Sequence, residues 1–127
     1  MIDLAELAAL NAAIAAGDGV IAAEGAAIVR RGALNVKNDW RRNATATAGA
    51  HARLYPRSIS YDVTEAPGFV EAEIGPDKDR PQGPLGNILE YGTSTQAGHN
   101  DGGQALDDEE PRFLAQVEAL AERATGL

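Results

Sequence analysis

Apolar positions along the chain follow two periods, and each period predicts a different kind of element. Over residues 2–16, Leu4, Leu7, Leu10 and Ile14 recur at three- and four-residue spacing among alanines, which predicts an N-terminal helix ended by Gly17, Asp18 and Gly19. Asp18 is placed to cap a second, longer helix from about Val20 to about Asn43. In that helix Ala22, Ala26, Val29, Ala33, Val36 and Trp40 form the apolar line, with Ile21, Gly25, Ile28 and Gly32 beside it. Glycine inside a helix costs about 1 kcal/mol relative to alanine. Gly25 and Gly32 on one flank therefore predict a close contact with another helix or with a sheet, and Trp40 is expected to be buried.

The period then changes to two. Residues 44–52, ATATAGAHA, have little turn chemistry and read as a mobile connection. Leu54, Tyr55, Ile59, Tyr61 and Val63 alternate with Arg57, Ser58, Ser60 and Asp62, predicting a strand over residues 53–64 with one wet face and Pro56 at its edge. Ala66, Pro67 and Gly68 supply a turn. Phe69, Val70, Ala72 and Ile74, interleaved with Glu71 and Glu73, predict a second strand over 69–75, hence an antiparallel hairpin. Residues 75–84 hold three prolines, two glycines and four charges, a composition suited to an exposed loop.

Residues 83–96, GPLGNILEYGTSTQ, read as one or two helical turns carrying Leu85, Ile88 and Leu89 on one side and closed by Gly92. Tyr91 at the helix end is expected to bury its ring and keep its hydroxyl wet. Residues 93–104 read as an extended polar and glycine-rich arm. A last helix is expected to start from a cap at Asp107 or Asp108, with Pro111 in its first turn and Phe113, Leu114, Val117, Leu120 and Ala121 as its stripe. The sum is a single α+β domain over residues 1–127, with a small antiparallel sheet packed against a long N-terminal helix and a C-terminal helix.

Composition limits what such a domain can do. The chain has 127 residues, and its 44% hydrophobic content is mostly small; only six residues are aromatic. A lone subunit is expected to hold roughly 5–10 kcal/mol of stability, leaving association to supply more. There is no cysteine, which excludes disulfides and thiolate metal sites. No basic n-region and no apolar run of about 18 residues is visible, so neither export nor a membrane partner is expected. Net charge is −8, yet residues 30–57 carry seven cations against Asp39 alone, a net of +6, so the remainder carries −14. Such a division suits complementary surfaces. Arg30, Lys37 and Arg41, flanked by Arg31 and Arg42, form the basic face of the second helix.

Candidate chemistry is sparse. His51, His99 and Asp101 are possible metal ligands without a fixed spacing. Ser58 and Ser60 point outward along a strand with no base near them in sequence. Glu71 and Glu73 form the wet side of a strand, and no glycine pattern makes a phosphate loop. We expect no enzyme, no cofactor and no metal. A nucleic-acid-binding module using the basic face of helix 20–43 is the alternative, with Trp40 or Tyr55 available for stacking.

The order of motifs adds a resemblance. LEYGT after a Gly-Asn, downstream of AEIGPD and upstream of HNDGGQALDDEEPRFLAQVEAL, resembles the small neck proteins of long-tailed bacteriophages, the head-to-tail connector or tail-completion family. The likeness spans residues 20–122. In that family a vEfGT-type segment precedes an arm with proline or histidine, then an acidic helix start with proline and an aromatic residue. Here Ala97 and Gly98 stand where the arm usually has proline, a departure that bears on its rigidity. The resemblance implies a virion protein assembled in the host cytoplasm, forming a cyclic homo-oligomer in the neck. Its neighbours would be portal-side adaptor or stopper proteins and tail-tube or terminator proteins, with DNA only passing through. Interface residues under this reading are Arg30, Arg31, Lys37, Arg41, Arg42, Leu89, Glu90, Tyr91 and Thr93, and channel-facing carboxylates are Glu71, Asp77 and Asp79.

Overall fold

A computed structural model describes residues 19–67 and 69–124. The N-terminal helix 2–16, the Asp18 cap and Gly68 of the hairpin turn lie outside the described residues. Element α1 runs over Gly19–Thr47, β1 over Ile59–Ala66, β2 over Phe69–Pro76, α2 over Gly86–Tyr91 and α3 over Asp101–Ala124, with single 3-10 turns at Ala50–Ala52, Tyr55–Ser58 and Gly83–Leu85. The two strands form an antiparallel pair, so the fold is α+β as the periodicity predicts.

The residues gather into two compact units. The first, as far as described, takes residues 19–32, 63–67, 69–72 and 110–124. Its core is Ile21, Leu120 and Ala121, with Ile28, Val117 and Ala124 against them. Gly32 meets the ring of Phe113 so closely that a Cβ there would sit 3.1 Å from a ring carbon, which is the close helix contact expected of the glycine flank. Arg30 pairs with Glu65, and Arg123 with Glu24 at 2.7 Å. These pairs are half-exposed, so each contributes at most about 1 kcal/mol.

The second unit takes residues 33–62 and 73–109. Ala44, Ala52, Tyr55 and Ile59 form its buried centre, with Trp40, Ile74, Leu85 and Leu89 packed around them. Trp40 is half-buried rather than sealed, its ring lying over Gly102 and near Gly75. Asn35 donates to buried Glu109 at 3.0 Å from within the same unit.

Five expectations are corrected here. The connection 44–52 is not loose: α1 continues to Thr47, and Ala44 and Ala52 enter the core, because small side chains let the backbone approach it closely. The first strand starts at Ile59, not at residue 53. Pro56 opens a 3-10 turn, and Tyr55 and Ser58, three residues apart, both turn inward. Ser58 is therefore buried rather than outward-facing, its Oγ donating to the Tyr55 carbonyl at 2.6 Å. The last helix begins six residues before Asp107, at Asp101, and Pro111 lies in its interior. Finally, residues 93–96 are a tight turn closed by a bridge between Gly92 and Ala97, not an extended arm.

Candidate protein-interaction site

The segment 86–103 is built from two helix ends that cap each other. Element α2 is only six residues long, too short to persist on its own. Its last carbonyls are taken by the chain that returns to it: His99 N–H donates to Leu89 O at 2.8 Å, and Asn100 N–H to Glu90 O at 3.0 Å. In exchange, the Glu90 carboxylate accepts from Gly102 and Gly103 N–H, each at 3.0 Å. Those two amides belong to the first turn of α3, where no intrahelical partner exists and an anion is favoured by the helix dipole. Glu90 is 8% exposed, so the exchange takes place largely out of water, where charge-assisted hydrogen bonds count for more.

Glycine permits this arrangement at two positions. Gly92 has φ 83° and ψ −173°, a conformation other residues rarely adopt, and a Cβ there would lie 2.5 Å from the Gln96 carbonyl oxygen. At Gly102 a Cβ would fall 2.7–2.8 Å from three carbons of the Trp40 indole. Asn100, at φ 53°, adopts the left-handed conformation that asparagine tolerates. Asp101 is buried at 3% exposure and accepts from Thr47 Oγ1 at 2.7 Å, with His99 Nδ1 at 3.8 Å; Asn43 donates to its carbonyl at 3.1 Å.

Under this clamp lies Tyr55, 1% exposed. Burial pushes its phenol up to about 12; the neighbouring Trp40 indole opposes the shift, and the Glu90 and Asp101 carboxylates and Tyr91 add to it. Trp40 Nε1 and the Tyr55 hydroxyl are both shut off from solvent without a well-formed hydrogen bond among the described residues.

What the clamp leaves outside is apolar. Ile88 is 48% exposed and Tyr91 79% exposed. The expected core side of Leu85, Ile88 and Leu89 therefore holds for Leu85 and Leu89 only, and Tyr91 does not bury its ring. The short helix that turns Glu90 and Leu89 inward sends Ile88 and Tyr91 outward. Thr93 follows, exposed, its Oγ1 accepting from Thr95 and Gln96 N–H at 3.2 and 3.1 Å.

The basic residues of α1 are mostly engaged within the chain. Arg41 Nε donates to Ile59 O at 2.7 Å and its terminal nitrogen to Arg57 O at 3.4 Å. Arg42 pairs with Asp39 at 3.0 Å, and Lys37 lies 5.6 Å from the Tyr61 ring centre. Arg31 is exposed. The loop after β2 is ordered by Asp77, which accepts from Asp79 N–H at 2.9 Å and faces Arg80 at 3.5 Å. Asp77 and Asp79 line an open depression of about 410 Å³ together with Asp62, Glu73 and Lys78. Glu71 is exposed on β2.

Sequence reasoning placed Glu90 at an interface and missed its inward role. The signal was present: an acid inside an apolar run, followed by the pair Gly102 and Gly103, whose uncovered amides suit a helix start as well as a loop. Among the described residues no helix is long and apolar enough to cross a membrane. Compared with protein-family models, with curated proteins and with solved structures, the chain matches none.

Proposed function

We propose that this chain is a structural protein of the neck of a tailed phage, a ring-forming subunit that joins the head connector to the tail and leaves a channel for DNA. The observation that carries this reading is the presentation of Tyr91 and Ile88. Both are large and apolar, both stand in water, and both are held on a helix end fixed by Glu90. Rigid apolar anchors beside a polar turn are what a protein partner requires, because little ordering entropy is then lost on binding. Tyr91 belongs to the LEYGT segment that the family resemblance draws on, and Ile88 directly precedes it. In this reading the protein works by contact with copies of itself, portal-side adaptor or stopper proteins and tail-tube or terminator proteins. It needs no cofactor and catalyses nothing.

The competing reading is a nucleic-acid module using the basic face of α1. The engagement of Arg30, Arg41 and Arg42 with Glu65, backbone carbonyls and Asp39 weighs against it. Deletion of the gene from its phage tests the proposal. Filled heads and separate tails are the expected products, and normally joined virions would exclude a neck role.

A further inference from the structure

The 3-10 turn Tyr55–Ser58 is surrounded by arginine. Arg41 and Arg80 both donate to the Arg57 carbonyl, at 3.4 and 3.2 Å. An open pocket of about 280 Å³ beside it is lined by Thr45, Ala48, Arg53, Pro56 and Arg57. A second pocket of about 210 Å³, lined by Leu54, Arg57, Ser58, Arg80 and Pro81, shares Arg57 with the first. Asp77, facing Arg80, is the acid that joins this group. Arg53 and Arg57 form no ion pair among the described residues. Between them Leu54 is 39% exposed. A chain of net charge −8 thus concentrates unpaired guanidinium groups, with an apolar residue in their midst, at one concave place.

The opposite composition occurs on α3. Leu106 is 57% exposed, and Asp107 and Asp108 follow it, exposed and without an ion pair among the described residues. One surface is a leucine between two arginines; the other is a leucine beside two aspartates. We propose that the arginine turn at Arg53, Leu54 and Arg57 is the seat for the Leu106–Asp108 segment of a second copy of this chain. Arginine's planar fork takes a carboxylate through paired hydrogen bonds, and the two leucines meet in the centre of the contact. The small pockets accommodate a carboxylate side chain better than a cofactor, whose sites are usually about 300–1,000 Å³. Nucleic acid is the less suited occupant, since the rest of the chain carries −14 against phosphate. Because seat and segment are different patches, the contact is head-to-tail and closes a ring where its rotation permits. The inference rests on the homo-oligomer of the neck reading and names the surfaces that would form it.

Charge exchange in the full chain tests this by analytical ultracentrifugation at low and moderate salt over a range of concentration. Wild type is expected to self-associate, more weakly as salt rises. Arg53→Glu with Arg57→Glu in one variant, and Asp107→Lys with Asp108→Lys in another, are each expected to weaken self-association roughly a hundredfold, because like charges then face each other. An equimolar mixture is expected to associate again in alternating order, since every junction regains opposite charges. Circular dichroism checks that both variants fold; should either fail, Arg53→Gln with Arg57→Gln and Asp107→Asn with Asp108→Asn are expected to weaken association in part. A wild type that stays monomeric throughout, variants that associate like wild type, or folded variants that stay apart when mixed would overturn the proposal. So would salt-sensitive binding of random duplex DNA that is lost with Arg53 and Arg57. A phage that joins heads to tails normally with the arginine-reversed variant would end this contact and leave the neck reading standing, which the gene deletion tests separately.

Discussion

Glu90 joins α2 to α3 through both its carboxylate and its carbonyl, so its replacement should be felt far beyond one helix end. Glu90→Gln keeps the shape and loses the charge that faces the Gly102 and Gly103 amides, and is expected to cost about 1–2 kcal/mol in urea unfolding; Glu90→Ala should cost more, about 2–3 kcal/mol. Arg41 and Arg42, adjacent in sequence, should part company in the same assay. Arg41→Glu removes hydrogen bonds to Ile59 and Arg57 carbonyls and is expected to cost about 2 kcal/mol, whereas Arg42, 71% exposed, should change stability little. Tyr55 gives a pH signature. Folded, its phenol ionises at about 12, against an ordinary value of 10.0. Its contribution is therefore whole below pH 10 and is lost as pH rises toward 12, worth roughly 2–3 kcal/mol across that window. Tyr55→Phe should be near neutral in stability at pH 7 and flatten the alkaline limb of stability against pH. Residue type does not show these inward roles: Glu90 and Arg41 are polar residues that fold inward through partners remote in sequence, and Ser58 is carried inward by the 3-10 turn that sets it on the Tyr55 carbonyl.

Elements were more legible than residues. The 3.6-residue line of α1, the alternation of β2 and the stop at Gly92 follow from spacing alone, and the structure has all three. Boundaries failed where composition pointed the wrong way. Alanine and threonine at 44–47 looked like a linker and instead extend α1, because Ala44 is fully buried. Gly102 and Gly103 read as a loop and Pro111 as part of a first turn, yet the helix starts at Asp101 and runs through all three, held at its start by Glu90 and at Gly102 by contact with Trp40. Two substitutions check these assignments by thermal unfolding. Gly92→Ala places a Cβ against the backbone of residues 96–98 at a positive φ and is expected to cost about 3 kcal/mol or more. Pro111→Ala restores an N–H donor to the interior of α3 and should stabilise the protein by about 1–3 kcal/mol, with more helical signal.

At the scale of the whole molecule, small cores and divided charge point the same way. Among the described residues, one unit is centred on Ile21, Leu120 and Ala121 and the other on Ala44, Ala52, Tyr55 and Ile59, while Tyr91, Ile88, Leu106 and Leu54 remain in water. Apolar anchors exposed on fixed elements are surfaces through which a folded chain gains stability when a partner covers them. The split between basic and acidic stretches was visible in the sequence. Its assignment was not, because ion pairs engage Arg30 and Arg42 and backbone carbonyls engage Arg41, while Arg53 and Arg57 of the turn after α1 form no ion pair among the described residues. The most direct measurement of the neck assignment is reconstitution: purified protein is added to the filled heads and free tails that accumulate without the gene, and joined particles are counted by electron microscopy. The neck assignment requires infectious, joined virions in proportion to added protein, and their failure to form, with folded protein present, would contradict it.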